Sequence, residues 1–345
     1  MKDRYLITGG AGFIGTNLAA HYLAHGKRVT ILDNFSRHGT RDNLEWLVET
    51  FGDRVSVVEA DVRDSNGALL QAVDGVEVVF HLAAQVAVTL SVGDPREDFE
   101  INALGTFNVL EAVRRSSARP IVVYSSTNKV YGKMADVEVV EKAGRYAYRD
   151  LPTGVAEDRP LDFYSPYGCS KGAGDQYVID YCRIYGLRTV VFRQSCIYGP
   201  HQFGIEDQGW VAWFAIRAMQ DLDVTIYGDG KQVRDVLFVD DLNAAYDAAI
   251  ARIDKTAGQA YNMGGGPQNT LSLLELIDLL RGAFGYRLNY DLSDWRPGDQ
   301  LVFVSDIQKA KRDFGWEPRV TAREGVTRMV EWQQANRDRF ASLVR

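Results

Sequence analysis

Thr8-Gly9-Gly10-Ala11-Gly12-Phe13-Ile14-Gly15 is the stretch that decides how the rest of the chain reads. It spaces Gly9, Gly12 and Gly15 by three, directly after the β-rich run Tyr5–Thr8 and at the opening of the helix-like segment Phe13–His25. Glycines there allow a tight turn and close backbone approach to a ligand, and the following helix N-terminus offers free amides and a favourable dipole. Strand, turn and helix in that order predict a cradle for a dinucleotide pyrophosphate, built from Gly9, Gly12, Phe13, Ile14 and Gly15. A plain Gly-rich turn would share the local sequence. The next strand, Arg28–Leu32, separates the two readings, because it runs into Asp33, followed by Asn34. An acid at that strand end accepts both ribose hydroxyls of an adenosine. Asp33 also favours NAD over NADP, since a carboxylate about 4 Å from a 2′-phosphate costs roughly 1–4 kcal/mol. Arg37 and Arg41 soften that preference.

Working outward, further β-rich runs recur at Val55–Glu59, Val76–Leu82, Ile121–Ser125 and Thr189–Arg193, with a second clear helical segment at Thr106–Arg115. Several runs are apolar at every position, as in strands buried on both faces of a parallel sheet. The alternation predicts an α/β fold, a Rossmann-type doubly wound parallel sheet. After Arg193 the rhythm changes. Ala212–Met219, Leu271–Phe284 and Thr321–Asn336 look helical, while strand–helix alternation stops. The expected division is a dinucleotide-binding domain over 1–193, with 236–260 returning to it, and a smaller mixed α/β substrate-binding domain over 194–235 and 261–345. Their cleft would lie beyond the carboxyl ends of the strands, where open α/β sheets bind ligands.

Composition narrows the function. Of 345 residues, 46% are hydrophobic and 25% charged, which is ordinary globular usage and excludes a disordered chain. A net charge of −7 argues against nucleic acid as the main partner. No apolar run reaches membrane-spanning length, and the N-terminal Met-Lys-Asp-Arg does not read as a signal peptide. Cys169, Cys182 and Cys196 have no metal-ligand spacing and read as reduced thiols, so no metal is expected and the compartment is the cytoplasm.

A second constellation lies at Ser165-Pro166-Tyr167-Gly-Cys-Ser-Lys171. Ser165 is a plausible N-cap and Pro166 fits the first helical position. Tyr167 and Lys171 then stand one above the other on one helix face. A phenol is a poor base at neutral pH, and a neighbouring ammonium helps it ionise. Tyr227…Lys231 repeats the spacing inside a Gly-rich turn, where the side chains need not share a face. Thr127, after the fifth strand, can offer a hydroxyl to the same substrate oxygen as Tyr167, or belong to a Ser/Thr turn, which taken alone is the simpler reading. Asp61-Val62 after the third strand can face the adenine, and Leu82-Ala83-Ala84-Gln85 after the fourth lets a cofactor lie against the backbone.

Together, Gly9/Gly12/Gly15, His81-Leu-Ala-Ala-Gln85, Ser125-Ser-Thr127…Tyr131-Gly132 and Tyr167…Lys171 resemble the extended short-chain dehydrogenase/reductase superfamily, and within it the nucleotide-sugar epimerases and dehydratases. The resemblance implies tightly bound NAD, with Asn102 and Ser125 among the residues holding it, and Thr127, Tyr167 and Lys171 as catalytic residues. It implies a nucleotide-diphosphate sugar as substrate, its diphosphate gripped by Arg234 (in Gly230-Lys-Gln-Val-Arg234-Asp235) and Arg296 (in Arg296-Pro-Gly-Asp299). Two departures matter. The 4,6-dehydratases carry Asp-Glu after the catalytic Thr, where this chain has Asn128-Lys129, so elimination of water is disfavoured. Cys196 stands where many relatives have a diphosphate-contacting Asn.

Ser125–Gly132, Leu161–Gly172 and Gln202-Phe203…Trp210…Phe214 are similar to the CDP-tyvelose 2-epimerase subgroup. That likeness implies carbon-2 epimerisation of a CDP-linked deoxyhexose through a transient 2-keto sugar. Gln85, Thr127, Asn128, Gln202, Phe203 and Trp210 would then face substrate, and the long segment from Lys133 to Phe163 would lie by the sugar pocket or form a surface loop. The alternatives are a UDP-sugar 4-epimerase and a non-catalytic NAD-binding regulator. Apolar faces on Thr106–Val113 and Ala173–Ile184 suit a homodimer or homotetramer, or cover for the sheet.

Overall fold

The Gly-rich turn joins two elements that the sequence predicts almost to the residue, strand β1 (Arg4–Thr8) and helix α1 (Phe13–Ala24). In the computed structural model, residues 3–64, 67–296 and 299–344 are described. Pro297 and Gly298 of the Arg296–Asp299 motif therefore lie outside the described residues. The next strands are β2 (Arg28–Asp33), β3 (Val55–Glu59), β4 (Val78–His81) and β5 (Ile121–Thr127). With Thr189–Gln194 and Gln259–Met263 they build a seven-stranded sheet in the order Gln259–Met263, Thr189–Gln194, β5, β4, β1, β2, β3. Every pairing is parallel. The order reverses beside β1, and the chains leaving β1 and β4 diverge to open a crevice at their carboxyl ends.

The apolar runs are explained by burial on two faces, because successive strand residues point to opposite sides. Ile7, Ile31, Phe80, Val123 and Phe192 pack with α1 and with helix Val239–Ala251. Leu6, Leu32, Val79, Val122 and Val191 pack with helices Gly105–Arg115 and Pro166–Tyr185. Each such side chain contributes roughly 1.5–3 kcal/mol. Strand β3 is the edge, and Ser56, Val57 and Glu59 are exposed there.

Beyond Gln194 short strands exist where no strand rhythm is legible. Val233–Phe238 pairs with Cys196–Tyr198, Thr270–Ser272 and Val302–Phe303, and Val224–Tyr227 pairs with Tyr290–Ser293. These runs are too short for a hydrophobic period to register. Helices Trp210–Met219, Leu273–Phe284 and Ala322–Ala335 share a core with them around Phe238, Leu276 and Met329. Helix Val239–Ala251 returns to the large sheet, and strand Gln259–Met263 follows it there. The segment from Lys133 to Phe163 forms the hairpin Val139–Lys142/Arg145–Tyr148. It packs Met134, Tyr148 and Val155 on Val233, Val302 and Phe303, and none of it lines the cleft described below. Among the described residues no helix is long and apolar enough to cross a membrane.

Helix Pro166–Tyr185 is fixed to the sheet by a buried ion pair. Asp175 accepts from Arg193 Nε at 2.9 Å, from its Nη2 at 3.1 Å, and from Ser126 Oγ at 2.8 Å. Removing one buried partner leaves the other charge uncompensated, which costs about 3–5 kcal/mol. Asp175→Ala is expected to lose that much stability in urea unfolding. Arg96→Ala, in the exposed Arg96–Glu100 pair, is expected to lose less than about 1 kcal/mol. Equal losses for the two variants would contradict the buried pair's role.

Candidate active site

A cleft of ≈ 520 Å³ opens beyond the carboxyl ends of β1, β2, β4 and β5. At its floor lies the Gly-rich turn. Gly9 has φ +67°, and a Cβ there would sit 2.7 Å from Ala83 Cα; one on Gly15 would sit 2.5 Å from the Gly9 carbonyl oxygen. Gly12 is the N-cap of α1 and brings no capping side chain, so first-turn amides remain for a ligand. Phe13, Ile14, Asn34, Val62, Leu82, Ala83, Ala84 and Ser125 line the same cleft.

Asp33 is buried at the end of β2. Its carboxylate accepts from the Ala11 amide at 3.0 Å and the Phe35 amide at 2.9 Å, so it also ties down the Gly-rich turn. Burial raises its pKa against those bonds. Asp61 accepts from Arg63 Nε at 3.0 Å and Nη2 at 2.8 Å, and from Asn34 Nδ2 at 2.8 Å. Burial alone would lift its pKa, but the Arg63 and Asn34 bonds prevail and hold it at about 2.

Two residues expected on the cofactor do not line the cleft. Gln85 turns back, donating to the Ala87 carbonyl at 2.8 Å. Asn102 accepts from the Gln85 amide at 3.1 Å and donates to its carbonyl at 2.9 Å. Both side chains are consumed in shaping the loop after β4.

The Tyr–Lys constellation sits on helix Pro166–Tyr185. The Ser165 hydroxyl caps it, accepting from the Gly168 amide at 3.0 Å, and Pro166 opens it. Gly174 lets the helix lie against β5, since a Cβ there would be 2.5 Å from Tyr124 Oη. Tyr167 and Lys171 share one face and line the cleft beside Thr127, the last residue of β5. The Lys171 ammonium stands 4.4 Å over the Tyr124 ring. Burial pushes the Tyr167 phenol up to about 12, opposed by a hydrogen bond with Thr127. Burial also brings Lys171 down to about 7, opposed by Asp98 and Asp175. His81, at the end of β4, lies between Thr8 Oγ1 at 2.7 Å and Thr106 Oγ1 at 3.0 Å, and burial lowers it to about 3, so it stays neutral.

The opposite wall carries the expected substrate residues. Arg234 donates to Asp299 at 2.8 Å, and Arg296 pairs with Asp207 at 2.9 Å. Asn128, Gln202 and Trp210 also line the cleft. Among the described residues the buried side-chain oxygens of Gln202 and Gln232 there have no hydrogen-bond partner. Phe203 does not line it. Its ring packs 5.2 Å from Phe340 and 5.7 Å from His38, which corrects the expectation that it faces nucleotide.

A profile of the NAD dependent epimerase/dehydratase family matches residues 5–264. The chain belongs to that family. CDP-paratose 2-epimerase of Salmonella typhi is 46% identical over 335 residues, covering 95% of this chain and 98% of that protein. UDP-glucose 4-epimerase of Thermotoga maritima, solved with UDP-glucose, superposes with a TM-score of 0.81 at 30% identity, over 96% of this chain and 99% of that one. DesIV, a dTDP-glucose 4,6-dehydratase of Streptomyces venezuelae solved with NAD, gives 0.82 at 29% identity, over 99% of both chains.

As a member of the NAD-dependent epimerase/dehydratase family this is an NAD-dependent enzyme, and the glycine cradle with buried Asp33 fits that cofactor. Sequence reasoning missed Tyr227, Glu206 and Gln232 on the cleft wall. Tyr227 was visible only as half of a decoy. Its ring carries the Arg296 guanidinium at 3.8 Å and its hydroxyl donates to Glu206 at 3.0 Å. Lys231 points elsewhere, to Glu141 at 2.8 Å.

Gly15→Ala is expected to weaken NAD binding at least about tenfold in calorimetric titration of the NAD-stripped protein, because the added methyl runs into the Gly9–Gly10 backbone of the turn. Unchanged affinity would mean that the turn does not hold the dinucleotide.

Proposed function

We propose that this NAD-dependent nucleotide-sugar epimerase inverts carbon 2 of a CDP-linked deoxyhexose, of the kind that relates CDP-paratose to CDP-tyvelose. The observation that carries this reading is the 46% identity to CDP-paratose 2-epimerase along nearly the whole of both chains. Asn128-Lys129 supports it, since neither side chain is the carboxylic acid that a dehydratase needs at that point.

In this reading Gly9, Gly12, Phe13, Ile14, Gly15, Asp33 and Ser125 hold NAD. NAD bound there would supply the hydride acceptor and donor for the sugar carbon. Tyr167 removes the proton of the carbon-2 hydroxyl, and Thr127 bonds the same oxygen. Ionising a phenol held at about 12 costs about 7 kcal/mol at neutral pH. A charged Lys171 in the same buried site reduces that cost, which is the reason for its place one turn along the helix. Arg234 and Arg296 grip the diphosphate with charge-assisted bonds, so the sugar can present its other face to the same site without leaving. Gln202 and Trp210 receive the nucleoside.

Tyr167→Phe is expected to lower kcat roughly a thousandfold with NAD still bound, the size of a lost acid–base group. Proton NMR of wild-type product from CDP-, UDP- and dTDP-linked sugars checks the regiochemistry. Inversion at carbon 2 of the CDP-sugar is expected; inversion at carbon 4 of a UDP-sugar would overturn the reading.

We also infer a homodimer. The inner faces of helices Gly105–Arg115 and Pro166–Tyr185 cover the sheet, while Phe107, Tyr177, Ile184 and Tyr185 are exposed, with the Phe107 and Tyr177 rings 5.9 Å apart across the two helices. Exposed apolar side chains of that kind suit burial against a second copy. Phe107→Glu with Tyr177→Glu is expected to give monomers in sedimentation velocity; a monomeric wild type would contradict the inference.

A further inference from the structure

Lys129 has no part in the mechanism above, yet it lines the cleft together with Thr127, Arg234 and Arg296. Its backbone is clamped beside the reacting groups. The Lys129 amide donates to Thr127 Oγ1 at 3.2 Å, and a Cβ on Gly168, next to Tyr167, would sit only 3.2 Å from the Lys129 carbonyl oxygen. The ammonium is within electrostatic reach of Arg234, Asp299 and Cys196. The two arginines there already have carboxylate partners, Asp299 for Arg234 and Asp207 for Arg296. Among the described residues the Lys129 ammonium has no hydrogen-bond or ion-pair partner. A substrate diphosphate carries two negative charges, and the prepaired arginines answer them only in part.

We propose that Lys129 is the third cation of the diphosphate site, bonding the phosphate next to the sugar. The proposal rests on the nucleotide-sugar reading but not on the base or on the carbon inverted. It has a linkage consequence. Burial first, and then the Arg234 charge, lower Lys129 to about 8, while Asp299 and Cys196 act the other way. Arg234 and Arg296 remain charged throughout. Tyr167, held at about 12, stays protonated in the unliganded site at these pH values. Arg37, also in the cleft, stays charged as a guanidinium, and among the described lining residues Lys171, also low, is the one other lysine. An anionic ligand raises the pKa of Lys129. Binding therefore takes up a proton above about pH 8, and affinity falls as pH rises through the free-state value, by at most about tenfold per pH unit.

The test is isothermal titration of the NAD-loaded enzyme with CDP-glucose at pH 6.5 and pH 9, in buffers of two ionisation heats. CDP-glucose is a diphosphate esterified at both ends, so its two charges do not titrate in that range. Wild type is expected to take up a fraction of a proton at pH 9 and almost none at pH 6.5. Lys129→Met is expected to lose that uptake and to bind roughly tenfold or more weakly at pH 6.5. Lys129→Arg is expected to regain affinity without proton uptake. Uptake persisting in Lys129→Met points to Lys171 instead and overturns the proposal, as does unchanged affinity. If CDP-glucose fails but UDP-glucose or dTDP-glucose shows the same Lys129 signature, the CDP reading fails and this proposal stands. Binding of none of the three overturns both.

Discussion

The Asp175 carboxylate, buried between helix Pro166–Tyr185 and the sheet, is the constraint from which the site follows. It is one helical turn past Lys171, and it bonds Ser126, the residue before Thr127, and Arg193 on the neighbouring strand, which lies opposite Ser126 in the ladder. One acid thus fixes the rotation of the helix carrying Tyr167 and Lys171 against the strand end carrying Thr127. Arg193 extends the network through Tyr131 at 3.1 Å to Asn262 at 2.7 Å, on the last strand of the sheet. Such a fully bonded buried network is costly to break from one side and so holds a single geometry.

The two walls of the cleft are prepared differently. The dinucleotide wall is mostly backbone, with two close approaches that only glycine permits, at Gly9 and Gly15, and one acid shared between turn and ligand site. The opposite wall is charged and already paired, with Arg234 on Asp299 and Arg296 held between Asp207 and the Tyr227 ring. Prepairing keeps the guanidinium groups in place before a diphosphate arrives, at the cost of part of their attraction for it. The buried Tyr167 and Lys171 are each disfavoured in their charged forms. The site is therefore quiet until charge is brought into it.

The large sheet was legible because its signals are redundant. Runs such as Val78–His81 are buried on both faces, the Gly turn sits at a strand–helix junction, and Ser165-Pro166 announces a helix start. The smaller sheet was not, because its strands are short and take their register from distant partners, as Val233 does from Ser272 and Val302. In the site, residues placed by one helix or one strand end read correctly onto the cleft, among them Thr127, Tyr167 and Lys171. Gln85, Asn102 and Phe203 did not, because a polar or aromatic residue near a ligand-binding loop serves equally well to shape that loop. Tyr227 was hidden for the converse reason. Its partners, Arg296 and Glu206, are far from it in sequence.

In the proposed reaction one buried site oxidises and reduces the same carbon without letting the sugar go. The measurement is a crossover experiment with a CDP-deoxyhexose deuterated at carbon 2 and marked by ¹³C elsewhere, mixed with unlabelled substrate and analysed by mass spectrometry and NMR. Deuterium is expected to stay on carbon 2, in the molecule that carried the ¹³C, in both epimers. Loss of the deuterium to water would contradict it, and would mean that the carbon is inverted by proton abstraction.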